Sequence, residues 1–192
     1  MENNCYILYD ENKKAVCIDP GFDMHSIKNQ IEKFQLNLEK IILTHGHFDH
    51  ISAAAKLSEA TKAEVVAHKD EKEVIETEGA RMRLHYSVPQ NITYIDEGEI
   101  TCGDMTLKVI HTPGHTKGGI CLYIDKYLFS GDTIFKKYIG RCDLPTGDIK
   151  KITNSIINKL FSLPDDTIIY PGHNEATTIE QEKKHNEVFR WL

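Results

Sequence analysis

Three histidines and an aspartate lie close together in one short segment of the chain. They are His45, His47, Asp49 and His50, and they directly follow the apolar run at residues 41–43. Imidazole nitrogens and carboxylate oxygens are ligands that zinc and similar divalent metals accept in proteins. Residues two apart in an extended segment project to the same side, so His45 and His47 can face one ion. The pattern therefore indicates a metal site that needs further ligands from elsewhere in the chain.

The adjacent residues Asp49 and His50 indicate a second ion. The chain has to turn there towards the alanine-rich segment 52–60, and neighbouring side chains in a turn or in the first turn of a helix diverge. Both residues are therefore better placed to serve a neighbouring ion than the one that His45 and His47 face. The alternative is a surface histidine tract that binds metal without specificity. The position of the cluster between a strand pattern and a helix pattern argues against that alternative.

Three further polar residues each follow a strand pattern and a small or glycine-containing turn. They are His115 after Pro113 and Gly114, Asp132 after Gly131, and His173 after Gly172. Such turns deliver side chains from a sheet edge to a common crevice. Taken singly, each residue has a structural explanation as a cap, core or turn residue; together with the cluster at 45–50 they predict one shared site. The remaining histidines lack this context and are interpreted as structural or solvated: His25, His68, His85, His111 and His185.

The elements that must position these residues alternate along the chain as short β-rich segments and amphipathic helices, without repeats or a linker. Strands are predicted at residues 5–9, 15–18, 40–44, 64–67, 92–95, 99–102, 105–111, 119–124, 127–130 and 167–170. Helices are predicted at residues 24–34, 52–61, 69–78, 148–161 and 179–191. The third of these helices is interpreted as solvated, and residues 81–89 as irregular. This order favours an α/β fold in which a pair of sheets has helices outside.

The composition favours one domain and excludes some partners. Of the 192 residues, 40% are hydrophobic and 27% are charged. A chain of this size can bury a core without disulfides or structural metals, so residues 1–192 are interpreted as a single domain. The formal net charge of −6 provides no basic surface. Nucleic acids and anionic membranes are therefore not expected as partners; the oligomeric state is not predicted.

The cysteines and the start of the chain predict a cytoplasmic protein. The five cysteines are odd in number, widely spaced and without a Cys-x-x-Cys pair, which argues against a disulfide framework or a thiolate zinc site. The first residues lack the basic-then-apolar pattern of a signal peptide. No stretch approaches the roughly 20 apolar residues of a membrane span.

The complete set of motifs resembles a known family. It runs from residues 19–21 through the His-x-His-x-Asp-His run, His115, Asp132 and residues 172–173, and it includes residues 140–145 and 177–179. By this set the chain resembles the metallo-β-lactamase-fold hydrolases, and among them the glyoxalase II-like (hydroxyacylglutathione hydrolase-like) branch. The resemblance implies an αββα sandwich of two mixed β-sheets with helices on the outer faces and the site at one edge of the sheets.

The resemblance also implies a role for each site residue. Two divalent metal ions are implied, with zinc as the first expectation and iron or manganese as alternatives. The implied ligands are His45, His47 and His115 for the first ion, Asp49, His50 and His173 for the second, and Asp132 as the bridge between them. Asp19 would brace the ligand loops through hydrogen bonds. Arg141 would bind a carboxylate of the substrate through its guanidinium.

The implied reaction is hydrolysis of a thioester, such as a 2-hydroxyacyl thioester, by a hydroxide that bridges the two metals. Asp49 would be the catalytic residue that orients this hydroxide and moves its proton. Two departures from the family concern the substrate: Asp143 and Glu175 stand where the family has aromatic residues that help to hold glutathione, and the C-terminal helical substrate domain is not expected in this chain. A smaller or different thioester or ester is therefore a further candidate for the small-molecule partner.

Other functions remain open. A mononuclear iron persulfide dioxygenase of the same fold would use a subset of the same ligands. A non-catalytic metal-binding module is disfavoured, because a closed structural site needs four ligands and no open position. β-Lactam hydrolysis is disfavoured, since the resemblance outside the ligands is to the glyoxalase II-like branch. A phosphodiesterase of the tRNA-processing kind would need an RNA-binding arm, which neither charge nor length supplies.

Overall fold

The computed structural model describes residues 3–82 and 86–192 of the chain. Residues 1–2 and 83–85 lie outside these ranges. The structure therefore does not describe the first two residues of the chain, His85, or the part of the predicted irregular segment at 83–85.

The first sheet has five strands in the order β1-β2-β3-β4-β5. They are β1 (Tyr6–Tyr9), β2 (Lys14–Ile18), β3 (Asn37–Leu43), β4 (Glu64–His68) and β5 (Ile92–Ile95). β1 and β2 form an antiparallel hairpin, and the strands from β2 to β5 run parallel. Parallel neighbours require crossover connections, which helices supply. These helices are α1 (Met24–Lys33), α2 (Phe48–Ile51), α3 (Ala54–Thr61) and α4 (Lys72–Met82).

The second sheet has six strands in the order β13-β12-β9-β8-β7-β6. They are β6 (Gly98–Cys102), β7 (Met105–His111), β8 (Ile120–Ile124), β9 (Tyr127–Gly131), β12 (Ile168–Pro171) and β13 (Thr177–Thr178). All neighbours are antiparallel except β9 and β12, which are parallel. The short pair β10 (Ile134–Phe135) and β11 (Tyr138–Ile139) follows β9. Helices α5 (Ile149–Asn154) and α6 (Ile179–His185) flank β12 in sequence.

The two sheets pack face to face because their strands bury apolar side chains on both faces. In β3, Ile41 and Leu43 contact the helices on one side, whereas Ile42 faces the second sheet. The period of two along a strand produces this division. Leu122 of β8 lies in the layer between the sheets, and Ile152 of α5 covers the outer face of the second sheet. The αββα sandwich implied by the resemblance is therefore confirmed.

The predicted solvated helix at 69–78 is the clearest error. A 3₁₀ turn at Lys69–Glu71 leads into α4, which continues to Met82, so the predicted irregular segment begins too early. Glu71, Val74 and Ile75 are buried. Positions 71, 74, 75 and 78 follow the i, i+3, i+4, i+7 spacing of one helix face, and that face packs inwards. Because the segment is rich in charged residues, its sequence did not indicate that one helix face is buried.

Two predicted long helices are interrupted. Asp148 caps α5 by accepting from the backbone N–H groups of Lys150 and Lys151, but the α-helix ends at Asn154 and continues as a π-helical turn at Ser155–Lys159 and a 3₁₀ turn at Leu160–Ser162. In an α-helix of 3.6 residues per turn, side chains four positions apart are displaced sideways from one another. The wider π-helical turn reverses this displacement and keeps such side chains on one side of the segment. The closing segment is α6 followed, after Asn186, by a 3₁₀ turn at Glu187–Trp191.

Backbone hydrogen bonds hold the ends of the strands from both sheets together. The Ile120 N–H of the second sheet donates to the Thr44 carbonyl at the end of β3 (2.9 Å), and the Gly172 N–H donates to the Gly131 carbonyl (2.7 Å). The segments that follow β3, β9 and β12 therefore meet at one edge of the sandwich. Within residues 3–82 and 86–192, none of the helices combines the length and the apolar character that a bilayer crossing requires.

Replacement of Leu122 by alanine tests the layer between the sheets. Leu122 is fully buried there, so Leu122→Ala should lower the free energy of unfolding by about 2–5 kcal/mol through lost burial and the cavity it leaves. Urea denaturation measures the change. Leu192→Ala is the matched control, because Leu192 is 77% exposed and its loss should cost less than about 0.5 kcal/mol. Equal effects of the two substitutions would contradict this account of the core.

Candidate metal centre

The predicted ligand residues lie in segments that follow four strands. His45 and His47 come directly after β3, and His47 is still extended as it precedes α2. Asp49 and His50 lie within α2. The other three residues follow β7, β9 and β12, and they are His115, Asp132 and His173. The structure brings all seven side chains to the same edge of the sandwich.

His45, His47 and His115, called here the three-histidine group, converge on one point. One ring nitrogen from each lies within 4.8 Å of the others. His47 Nδ1 is 3.0 Å from His115 Nε2. Two nitrogens that bind one tetrahedral zinc at about 2.0–2.1 Å lie about 3.3 Å apart, so this spacing fits a shared ion. The group therefore has the donor type and the separation of a metal site.

Asp49, His50 and His173, called here the second ligand group, form a neighbouring cluster. His50 Nε2 and His173 Nε2 are 3.2 Å apart. His173 Nε2 lies 3.4 Å from Asp49 Oδ2. A carboxylate with two imidazoles is a donor set that suits zinc, iron or manganese.

Asp132 lies between the two groups. Its Oδ1 is 3.4 Å from His50 Nε2 in the second ligand group, and its Oδ2 is 3.6 Å from both His115 Nε2 and His173 Nε2. Asp132 Oδ1 and His45 Nε2 are buried and lack a hydrogen-bond partner within the described residues. Buried polar atoms are rarely left unpaired, because an unmade hydrogen bond is costly. Two of the four such atoms among the described residues thus belong to the predicted ligand set, the other two being the hydroxyls of Thr146 and Thr167, and the residues present fit a pair of bound metal ions.

Three imidazoles are fixed by hydrogen bonds to their outer nitrogens. His115 Nδ1 donates to the Arg141 carbonyl (2.8 Å), and His50 Nδ1 donates to Asp19 Oδ2 (2.9 Å). His45 Nδ1 lies 3.1 Å from the Thr44 hydroxyl oxygen, which itself donates to Asp19. Each of these bonds places a proton on Nδ1, so Nε2 is the ring nitrogen that faces inwards in all three residues. This is how outer hydrogen bonds set the tautomer and orientation of metal-ligating histidines.

Asp19 connects the end of β2 with the ligand loop. Its backbone adopts a left-handed conformation (φ 50°) that is uncommon for a residue with a side chain. The carboxylate accepts from the Thr44 N–H (2.7 Å) and the Thr44 hydroxyl (2.5 Å) as well as from His50. A single buried side chain therefore positions both the start of the ligand loop and one member of the second ligand group.

The loop that carries His173 is held by the start of the chain. The Asn4 N–H donates to the Gly172 carbonyl (2.7 Å), and the Asn4 side-chain amide donates to the carbonyls of Pro171 (3.0 Å) and Asn174 (2.8 Å). Gly172 permits a close approach, since a Cβ there would lie 2.2 Å from Asp132 Oδ1. Only glycine fits beside the ligands at this position.

Burial and neighbouring charges divide the ligands into two electrostatic classes. Burial lowers the pKa of His47 to about 4 and that of His115 to about 3, and it holds the pKa of His45 well below its usual range. These rings are therefore neutral at neutral pH, which is the form that binds metal. Burial alone would also lower the pKa of His50, but the carboxylates of Asp19, Asp132 and Asp49 raise it to about 9.

The carboxylates of the site are also perturbed. Burial raises the pKa of Asp132 to about 6 against the opposing effect of His50 and His173. Burial alone would raise the pKa of Asp49, but the hydrogen bond from His173 and the charge of His50 lower it to about 2. Asp49 is therefore ionised at neutral pH, which is the form of a carboxylate that binds a metal ion.

Arg141 lies close to the site, but its guanidinium is already paired. Its Nε and Nη2 donate to the two carboxylate oxygens of Asp143, each at 2.7 Å. The side chain is 61% exposed. Its backbone carbonyl, by contrast, accepts the proton of His115 Nδ1. Arg141 thus contributes to the orientation of a ligand through its main chain, which side-chain chemistry alone does not indicate.

Sequence reasoning missed Glu71. Its carboxylate is fully buried and accepts from the backbone N–H groups of Gly46 (2.7 Å) and Gly118 (2.8 Å) and from the Thr116 hydroxyl. Gly46 separates His45 from His47 in the sequence. The only available signal is the helical spacing of Glu71 with Val74 and Ile75, which places it on the inner face of the segment.

A further cluster lies outside the seven residues. His68 and Asp70 meet His111, with one ligand atom from each within 4.8 Å of the others. The two rings are stacked, with centroids 4.0 Å apart and planes 15° from parallel. A ring nitrogen binds metal in the plane of its ring, so two nearly parallel stacked rings cannot share an ion. His25 and His185 are exposed. His85 is not among the described residues.

Comparison with known proteins identifies the family. The Metallo-beta-lactamase superfamily matches residues 2–173. Hydroxyacylglutathione hydrolase GloC of Haemophilus influenzae is 35% identical over 195 residues, which cover 97% of this chain and 92% of that protein.

Solved structures show the same relationship. The BLEG-1 B3 metallo-beta-lactamase matches with a TM-score of 0.87 and 35% identity, covering 96% of this chain and 93% of that chain. TTHA1623 in a di-iron-bound form matches with a TM-score of 0.86 and 32% identity, covering 96% and 94%. ETHE1 from Myxococcus xanthus matches with a TM-score of 0.82 and 30% identity, covering 97% and 79%. With its fold, its clustered histidines and aspartates and these relatives, the chain belongs to the metallo-β-lactamase superfamily.

Proposed function

We propose that this protein is a dinuclear metal-dependent hydrolase of thioesters. The observation that carries the proposal is the convergence of two ligand groups on the shared carboxylate of Asp132, together with the unpaired buried atoms His45 Nε2 and Asp132 Oδ1. Both atoms lack a hydrogen-bond partner within the described residues, and each could instead bind a metal ion. Zinc is the first expectation, with iron and manganese as alternatives.

The chemistry of the reaction divides between the ions and the side chains. Two bound divalent ions would lower the pKa of a water molecule and stabilise the negative charge that develops on a carbonyl oxygen. His45, His47 and His115 would hold their ion as neutral ligands. Asp49 would orient the attacking oxygen and carry its proton towards the leaving thiolate. No serine or cysteine nucleophile is needed.

The accessibility of the ligands supports catalysis over a closed structural site. The side chains of Asp49 and His173 are each 15% exposed, and that of Asp132 is 12% exposed, whereas the side chain of His50 is fully buried. The face formed by the second ligand group is therefore open to a small molecule. A structural zinc site has four protein ligands and no open position.

The substrate class rests on two kinds of support. The similarity to hydroxyacylglutathione hydrolase GloC over nearly the whole chain favours a hydroxyacyl thioester. Arg141 is our candidate for binding a carboxylate of the substrate, and it would exchange Asp143 for that carboxylate.

The state of the cysteines supports a location for this activity. All five are free thiols and not part of disulfides, which supports a reducing compartment such as the cytoplasm.

A second candidate is a mononuclear iron persulfide dioxygenase. Such an enzyme would use a subset of the same ligands, and the similarity to TTHA1623, which was solved in a di-iron-bound form, supports iron as a metal for this donor set. The similarity to the BLEG-1 metallo-beta-lactamase makes β-lactams a further class to assay.

One experiment separates these functions. Turnover of a hydroxyacyl-thioester panel, of glutathione persulfide with oxygen uptake, and of a β-lactam is measured on protein whose metal content has been counted. Two ions per chain, thioester hydrolysis and no oxygen uptake are expected. Activity should disappear on chelation and return when the metal is restored. One iron per chain with oxygen consumption would instead establish the dioxygenase.

His47→Ala tests the three-histidine group. The substitution removes one ligand nitrogen, so thioester turnover should fall by more than about 100-fold, since the loss of an outer-shell partner alone costs about 10–100-fold. Steady-state kinetics and metal analysis measure both effects. His25→Ala is the control, because His25 is exposed on α1 and should leave turnover unchanged. Full activity of His47→Ala would refute the assignment.

Asp19→Asn tests how the second ligand group is set up. The amide nitrogen of asparagine would face either the Thr44 N–H or His50 Nδ1. Facing His50, it would donate to Nδ1 and move the imidazole proton to Nε2, the atom proposed to bind metal. The affinity for the second ion should fall roughly 10–100-fold, and the affinity for the first ion should fall less, because Asp19 reaches His45 only through the Thr44 hydroxyl.

Metal titration by calorimetry measures this change. Asp166→Asn is the matched control, because Asp166 is an exposed carboxylate before β12. Equal affinities of Asp19→Asn and wild type for both ions would show that Asp19 does not orient His50.

A further inference from the structure

We propose that Glu71 is a positioning residue for the first metal ion, because its carboxylate joins the loop of His45 and His47 to the loop of His115. This inference rests on the proposed dinuclear site. It concerns a residue whose hydrogen bonds in the described part of the chain go to neighbours of the ligands in sequence, namely Gly46, Thr116 and Gly118.

The carboxylate uses one oxygen for each loop. Glu71 Oε2 accepts from the Gly46 N–H (2.7 Å), and Gly46 lies between two ligands in the sequence. Glu71 Oε1 accepts from the Thr116 hydroxyl and from the Gly118 N–H (2.8 Å), and Thr116 directly follows the third ligand. Every member of the three-histidine group is thus adjacent to a residue that donates to Glu71.

The arrangement is rigid as well as buried. Glu71 and Thr116 have no exposed surface. A Cβ on Gly46 would lie 3.0 Å from Glu71 Oε2, and a Cβ on Gly118 would lie 2.5 Å from the Glu71 backbone nitrogen. Both loops therefore pack against this turn at distances that leave no room for a side chain. A shift of either loop would break a bond to the carboxylate.

The same helix face makes a second contact with the ligand loop. Glu78 lies seven residues after Glu71, and its Oε2 is 3.4 Å from the Phe48 N–H at the start of α2. Val74 and Ile75, which lie between the two acids in the sequence, are buried on the same face. This face supports the loop at residues 46 and 48, on both sides of His47. Glu71 is the member that also reaches the loop of His115.

Glutamine at position 71 separates the two connections. It has the size of glutamate but offers one acceptor oxygen, and its NH₂ must face either the Gly46 N–H or the pair of donors on the other loop. Either orientation repels a backbone N–H, so the two loops lose their common acceptor. The ligand nitrogens of the three-histidine group then lose their fixed spacing.

The experiment measures metal affinity in single-site backgrounds. Glu71→Gln is combined with His173→Ala, which leaves the three-histidine group, and separately with His47→Ala, which leaves the second ligand group. Zinc affinity is measured with a competing chelator, and cobalt is used as a spectroscopic probe of ligand geometry. In the first background Glu71→Gln should weaken binding roughly 10–100-fold and alter the cobalt spectrum. In the second background the affinity should change less than about twofold.

Glu73→Gln is the matched control. Glu73 lies two residues after Glu71, at the start of α4, is 67% exposed and pairs with Lys117, next to Gly118. Its substitution therefore changes the charge and a surface contact without touching the buried carboxylate. It should leave both affinities unchanged. In the otherwise wild-type protein, excess zinc should restore the activity of Glu71→Gln, which a general loss of folding would not allow.

Thr116→Val keeps the test decisive if Glu71→Gln does not fold. It removes only the hydroxyl donor and should weaken the first ion in the same direction by a smaller factor. The inference would be overturned if a folded Glu71→Gln bound the first ion as tightly as wild type does. If Glu71→Gln does not fold, the same result for Thr116→Val would overturn it. Either result leaves the proposed function intact. Absence of tight metal binding by the wild-type three-histidine group would instead overturn the proposed function.

Discussion

Face-to-face packing of the two sheets is the constraint on which the site depends. Strands such as β3 bury apolar residues on both faces, so the sheets share one dry layer and their strand ends come together at one edge. The polar residues that follow these strands therefore lie together at that edge, outside the apolar layers. The ligands can then be far apart in sequence and still lie within a few ångströms of each other.

Two buried carboxylates refine this arrangement. Asp19 accepts hydrogen bonds from Thr44 and His50. Glu71 accepts hydrogen bonds from the two loops that carry the three-histidine group. Each carboxylate is fully or almost fully removed from solvent. Buried acids of this kind persist where several donors satisfy them. Here the donors are main-chain and hydroxyl groups beside the ligands, together with one ligand imidazole, so the energetic requirement to pair the acid also keeps the metal-binding side chains in place.

The sequence predicts much of this molecule because its signals are local. A strand pattern followed by glycine and one polar residue locates His115 and His173, and the apolar run at residues 41–43 locates a strand buried on both faces. The role of Glu71 depends on contacts with residues more than 20 positions away, so a count of charges in its segment suggests only a solvated helix. The pairing of Arg141 with Asp143 and the stacking of His68 on His111 depend on side-chain conformations and long-range packing that no pattern records.

The hydrogen bonds from Asn4 to the loop around His173 have a consequence for the second ligand group. The bond from the Asn4 side chain to the Asn174 carbonyl spans 170 positions. Contacts between residues so distant in sequence raise the contact order of a fold, and folds of high contact order form slowly. The loop that carries the last ligand in the sequence therefore takes its position from residues near the start of the chain.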